Sequence, residues 1–189
     1  MPPIVLRTSA PVSIEDLIRL AGAGDPLGIG GLYDRFAERM VRVAWRLTGS
    51  MEDAEDVVHD VFVGLPEALR RYQEQGSIEA WLSQVTARAA LMRIRESIRR
   101  RESSLVDLDH VASTPRTDLA AEYRDVEQHI FALPEALRTV FVLREMEGFT
   151  HDEIAALVGI SAGASRVRLS RALDALRAVL CPASVPHKY

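Results

Sequence analysis

Two clusters of arginine and one cluster of carboxylates are the side chains whose types and spacing point to chemistry in this chain of 189 residues. Between 81 and 101 there are six arginines against Glu96 alone, and between 161 and 189 there are five basic groups against Asp174. The segments before and between them are acidic, with thirteen carboxylates to eight arginines over 1–80 and twelve to four over 102–160, so the net charge of −4 conceals two basic patches. Local positive patches suffice for binding a polyanion, because contacts to phosphate act over about one Debye length. Lys188 is the only lysine, and the arginine fork suits bidentate contacts to phosphate and guanine. The carboxylates Glu55, Asp56 and Asp60 stand close together in the sequence, with His59 among them. As a metal site Asp56, His59 and Asp60 lack a fourth ligand, and neither a metal nor a cofactor is expected. A lone cysteine, Cys181, excludes a disulfide framework and a cysteine zinc site. No phosphate loop, His-Glu metal helix or Ser-His-Asp pattern is present, so an enzyme is not expected.

Around the second basic cluster the spacing is that of a helix-turn-helix. Thr150-His151-Asp152-Glu153 has the capping-box pattern ahead of Ile154, Ala155, Leu157 and Val158. Gly159 supplies a tight turn and Ser161 a new cap, and a longer basic helix follows. At 100° per residue Leu169, Leu173, Leu176 and Leu180 share one face. Ala164, Val167, Ser170 and Arg171 point the opposite way, flanked by Arg166 and Arg168. That outer face is expected to meet the major groove, with Val167 suited to thymine methyls. In the first basic cluster Arg88, Arg95 and Arg99 lie on one side. Arg93 lies with the arginines spread around the helix terminus, where arginine also complements the helix dipole.

The elements that must position these groups are all helical. Aromatics make up 6% of the residues and β-branched runs are short, which disfavours a β-sandwich. Ser13 caps a short helix from Ile14 to Ala23, and Gly28, Gly30 and Gly31 are read as loosening the chain before a second helix at about 32–47. Ser50 with Asp53 opens a third helix, which Pro66 is expected to end or kink. Ser77 caps a long helix from Ile78 to about Arg101, with Trp81, Leu82, Val85, Ala89 and Met92 inward. The fold class is therefore all-α, with two small helical domains joined by an acidic flexible linker. The boundaries are a tail at 1–13, a first domain at 14–101, the linker at 102–125, a helix-turn-helix domain at 126–181 and a tail at 182–189. No secretory signal and no run of about 18 apolar residues are visible, and a cytoplasmic location is expected.

In this order and spacing the motifs resemble the extracytoplasmic-function group of bacterial sigma factors, over about 14–180. Ala-Glu-Asp at 54–56 running into Val57-Val58-His59-Asp60-Val61-Phe62 is similar to that group's polymerase-facing helix. Gly76-Ser77 before Trp81-Leu82 resembles its strand-melting loop. Leu133-Pro134, the run Val142 to Phe149 and the stretch Gly163 to Ala172 resemble its second domain. The resemblance implies that Glu55, Asp56, His59, Asp60 and Phe62 bind core RNA polymerase. It implies that Tyr72, Ser77, Ile78, Trp81, Arg88, Arg93, Arg95 and Arg99 hold the melted promoter strand, and that Ala164, Arg166, Val167, Arg168, Ser170 and Arg171 read the upstream duplex element. It further implies an anti-sigma factor as a partner and no membrane insertion. Ile78, Arg88 and Met92 depart from the aromatic, asparagine and aspartate usual in the group, and Ala164, Val167 and Ser170 from its threonine, serine and histidine, so the promoter sequence is left open. Two other readings are a sigma-like mimic that sequesters an anti-sigma factor and a conventional helix-turn-helix regulator.

Overall fold

The computed structural model describes residues 12–72, 76–103 and 121–180, and side chains at 100–103 and 121–125 are not described. Every regular element among them is helical. The first half contains α1 (Ile14–Gly22), α2 (Pro26–Thr48), α3 (Met51–Leu69) and α4 (Ile78–Ser103). The second contains α5 (Ala121–Ala132), α6 (Glu135–Phe141) running on through a π-helical turn (Val142–Met146), α7 (His151–Val158) and α8 (Ala162–Leu180). The expected linker therefore overlaps the end of α4 and the start of α5. Its centre at 104–120, and the tails at 1–11 and 181–189, lie outside the described residues.

Helix α2 is central and packs on α1, α3, α4 and α6. It begins about six residues earlier than its apolar pattern suggests, because Asp25 caps it and Pro26 occupies its first turn. The glycines read as loop punctuation lie inside the helix. A Cβ at Gly28 would stand 2.3 Å from the Ala21 backbone nitrogen, and one at Gly31 would stand 2.5 Å from Leu17 Cδ2. Their role is close approach of α1 to α2. Pro66 neither ends α3 nor separates it from the following turn, since the helix runs on to Leu69. Leu65 and Leu69, both buried on the same face, hold that last turn against the bundle.

Helix α4 buries Leu82 and packs Trp81, Val85 and Ala89 on the core as expected, but its inner face is wider than expected and leaves out Met92. Met92 is 60% exposed, whereas Leu82, Ser83, Thr86, Ala87, Ala90 and Leu91 are buried. The face is wider than one stripe because two partners cover it. The start of α4 packs with Leu32, Phe36, Met40, Val58 and Phe62 in the core of the first domain. Further along, Ala87, Ala90 and Leu91 join Val43, Ala44, Trp45, Leu47, Val57, Ile130, Val140, Leu143, Phe149 and Ile154. That second cluster draws on both domains and forms one continuous core between them. A pair of rings, Trp45 and Phe131, closes it at a centroid separation of 4.0 Å. At its margin the Arg46 guanidinium straddles the Glu127 carboxylate, with Nε donating to Oε1 at 3.1 Å and both side chains nearly buried.

Candidate nucleic-acid interface

The helix-turn-helix is built as its sequence suggests. The Thr150 hydroxyl accepts from the Glu153 N–H, while the Glu153 carboxylate accepts from the Thr150 N–H at 2.8 Å and from its hydroxyl at 2.8 Å. The Thr150 N–H and then its hydroxyl hold the Glu153 carboxyl below its usual range. Gly159 turns the chain at φ +74°, and Ser161 caps α8 by accepting from the Ala164 N–H at 3.1 Å. One tie between the helices has no counterpart in the sequence patterns. His151 Nδ1 lies 2.9 Å from the Oγ of Ser165, a side chain fully buried under α7.

The inner face of α8 is Ser165, Ala172 and Leu176, with Leu169 and Leu173 half-buried. Leu180, expected inside, is exposed because the helix outruns its partners there. On the outer face Arg166, Val167, Ser170 and Arg171 are exposed, and Ala164 and Arg168 are half-buried. Val167 is half exposed with no apolar cover. A 19-residue helix with two arginine forks, a hydroxyl and a branched methyl pair facing solvent has what a major-groove reader needs.

The residues expected at the melted strand separate into groups. Tyr72 and Trp81 stand together, half-buried, with ring centroids 5.0 Å apart, and the Tyr72 hydroxyl donates to the Gly76 carbonyl at 3.4 Å. Ser77 is exposed and caps α4 through the Ala80 N–H. Ile78 is buried in the core of the first domain, so it supports the loop from below and offers no surface to a base. Arg95 and Arg99 are exposed. Arg88 faces the second domain, its guanidinium 5.8 Å from the ring centre of the fully buried Phe149. Arg93 crosses to α3, where its Nε donates to Asp53 Oδ1 at 2.9 Å and its Nη2 to Asp56 Oδ2 at 2.6 Å. The hydrogen bond to Asp53 is the largest cause of its raised pKa.

On α3 the carboxylates of Glu55, Asp56 and Asp60 and the His59 ring are exposed on one ridge. Phe62 is not part of that surface. It is buried and meets Tyr33 edge-on at 5.0 Å, because its position on the helix turns it toward α2. The apolar residue that the ridge does present is Val63, 68% exposed and one turn beyond His59. A residue-by-residue helical wheel finds it, whereas matching to a motif does not. Among the described residues no group of three or more His, Cys, Asp or Glu side chains is placed to hold a metal ion. None of the described helices is long and apolar enough to cross a membrane.

A family model described as Sigma-70 region 2 matches residues 32–101, and one described as Sigma-70, region 4 matches 124–176. The ECF RNA polymerase sigma factor SigE of Mycolicibacterium smegmatis is 32% identical over 77% of this chain. The chain belongs to the extracytoplasmic-function group of the sigma-70 family. It spans only 59% of that SigE, but 90% of the ECF RNA polymerase sigma-E factor of Escherichia coli, to which it is 27% identical. Among solved structures, CnrH in complex with the cytosolic domain of CnrY is 27% identical, with a TM-score of 0.50 over 89% of this chain and 97% of that one. The sigma factor RpoE from Bartonella quintana, solved with the anti-sigma factor NepR, has a TM-score of 0.56 at 22% identity over 78% of this chain and 92% of that one, a likeness of fold. In this sigma-70 member the stretch 102–123 separates the matched regions, and the shared core joins the regions on either side of it.

Proposed function

We propose that this chain is a sigma factor that docks on core RNA polymerase through the α3 ridge, reads an upstream duplex element with α8 and holds the melted strand along α4. The observation that carries this reading is the outer face of α8, which leaves Arg166, Val167, Ser170 and Arg171 exposed in a helix-turn-helix fixed by a complete capping box. An operator-binding regulator would use that face equally well. It would have no use for the acidic, valine-bearing ridge on α3, which is suited to a basic protein surface. The protein performs no reaction itself. Polymerase supplies the chemistry, and this chain supplies the address and the opening of the strands, acting in the cytoplasm where promoters are.

Arg88 is exposed, but its guanidinium lies over Phe149 and α7 borders that part of α4, so the second domain flanks the path of a captured strand. The closed arrangement is then a resting state, and polymerase or promoter binding draws the domains apart. An anti-sigma factor is the partner expected to act on the resting chain, as both solved relatives named above were captured with a second protein. Reconstitution with core polymerase followed by mapping of transcript starts tests the reading. Starts clustered downstream of a common sequence element support it. Random starts together with tight binding to an anti-sigma factor would instead make the protein a sequestering mimic.

A further inference from the structure

We propose that Arg93 is a positioning residue, which locks the DNA-holding helix α4 to the polymerase-facing helix α3, and that it does not contact the promoter strand itself. The inference rests on the sigma-factor reading and assigns a task within it. Arg93 forks two carboxylates one helical turn apart, Asp53 at 2.9 Å through Nε and Asp56 at 2.6 Å through Nη2. Its side chain is 30% exposed and that of Asp53 is 28% exposed. With two acids on one cation the cluster carries a net negative charge, so a phosphate approaching Arg93 would meet repulsion. The neighbouring Arg95 and Arg99 are exposed on the same helix.

A lock is needed at this level of the bundle. The buried apolar residues that α3 and α4 bring to the shared core here are Ala54, Val57, Ala87, Ala90 and Leu91, three of the five being alanine, with Met51, Ala89 and Ile94 partly buried at its edge. Alanines let helices come close but interdigitate weakly, so shape alone fixes their relative rotation and shift poorly. A planar guanidinium held by two acceptors in a fixed geometry supplies what the alanines do not. Asp56 belongs to the docking ridge and Arg93 to the helix of the basic cluster. The fork therefore sets the angle at which docking on polymerase presents α4 to the melted strand.

The test uses the full-length protein bound to core polymerase on a promoter carrying a preformed bubble, with affinity measured across a salt series. Arg93→Gln and Asp53→Asn should each weaken capture of the open strand by about tenfold, the size of one charge-assisted hydrogen bond. The double variant should be no worse than either single, the slope of affinity against salt should be unchanged, and core affinity should stay within about twofold. A contact to phosphate predicts the opposite sign for Asp53. Removing that acid would free Arg93 and leave capture unchanged or stronger, while Arg93→Gln would lower the salt slope by about one. That pattern, or no effect of either variant, overturns the proposal. Amide exchange at the α3–α4 contact in the free chain distinguishes its failure from failure of the functional reading. If the wild type does not bind polymerase the sigma assignment falls, while equal and non-additive loosening of α4 in both variants still establishes the lock.

Discussion

Replacing Arg46 alone, by methionine, is expected to open the contact between the two domains by a measurable and large factor. Arg46 on α2 and Glu127 on α5 keep only 15% and 11% of their side chains exposed, and the pair joins a helix of the first domain to one of the second. Removing one partner of a buried ion pair leaves the other charge desolvated and uncompensated, a cost of about 3–5 kcal/mol. The pair sits at the margin of the shared core, so the lower end of about 3 kcal/mol applies, equivalent to about a hundredfold shift toward the open form. Opening relieves the penalty by returning Glu127 to water, so the cost appears in the domain equilibrium more than in the stability of either half. The assay is single-molecule energy transfer between dyes at Glu15 of α1 and Asp174 of α8, both exposed, in a Cys181→Ser background. Arg46→Met should broaden the distribution toward long distances, Glu127→Leu should do the same, and the combined variant should return near the wild-type distance because neither charge remains. An unchanged distribution in both single variants, or additive opening in the double, would refute the reasoning that the pair holds the domains closed.

Three further outcomes follow from the same geometry. Glu147, with its side chain only 2% exposed and Arg39 3.8 Å away, has its pKa raised chiefly by burial, against the opposing pull of Arg39, Arg46 and Ser83. Its contribution is fully present below the ordinary value of 4.5 and is lost as pH rises through the higher folded value. Between neutral pH and that window the closed form should therefore gain stability in the wild type and not in Glu147→Gln, read by energy transfer against pH. Arg171→Ala should weaken protection of the upstream duplex by about 1–3 kcal/mol while leaving core affinity unchanged, measured by footprinting and by co-purification. Val63→Asp should reduce core affinity by about 1–2 kcal/mol, because it removes the apolar contact of the ridge, and thermal unfolding should shift little since the side chain is exposed.

What could be read from the sequence depended on whether the cause was local. The capping box at Thr150, the left-handed glycine at 159 and the serine caps at 13, 50 and 77 act over three or four residues. The helices they delimit agree with the patterns, and α7 and α8 agree most closely. Gly28 and Gly31 misled because glycine has two uses. The decisive one here is the approach of α1, a neighbour that no window on the sequence contains. Pro66 misled in the same way, since Leu65 and Leu69 anchor a turn that proline alone would weaken. At the candidate site, residue type placed the outer face of α8 and the acidic ridge correctly on the surface. Phe62 and Ile78 were assigned to surfaces by motif position, and both are buried because one face of each helix must supply the first domain's core. Arg93 marks the limit of reading charge as a run of letters. Its cluster is basic along the chain and acidic in space, because Asp53 and Asp56 arrive from another helix. The same reason hid the contact between the domains. Only the packing shows that Trp45, Phe131 and Phe149 share one core. A surface that a second domain covers is apolar like any interior, so its sequence carries no sign that it is able to open.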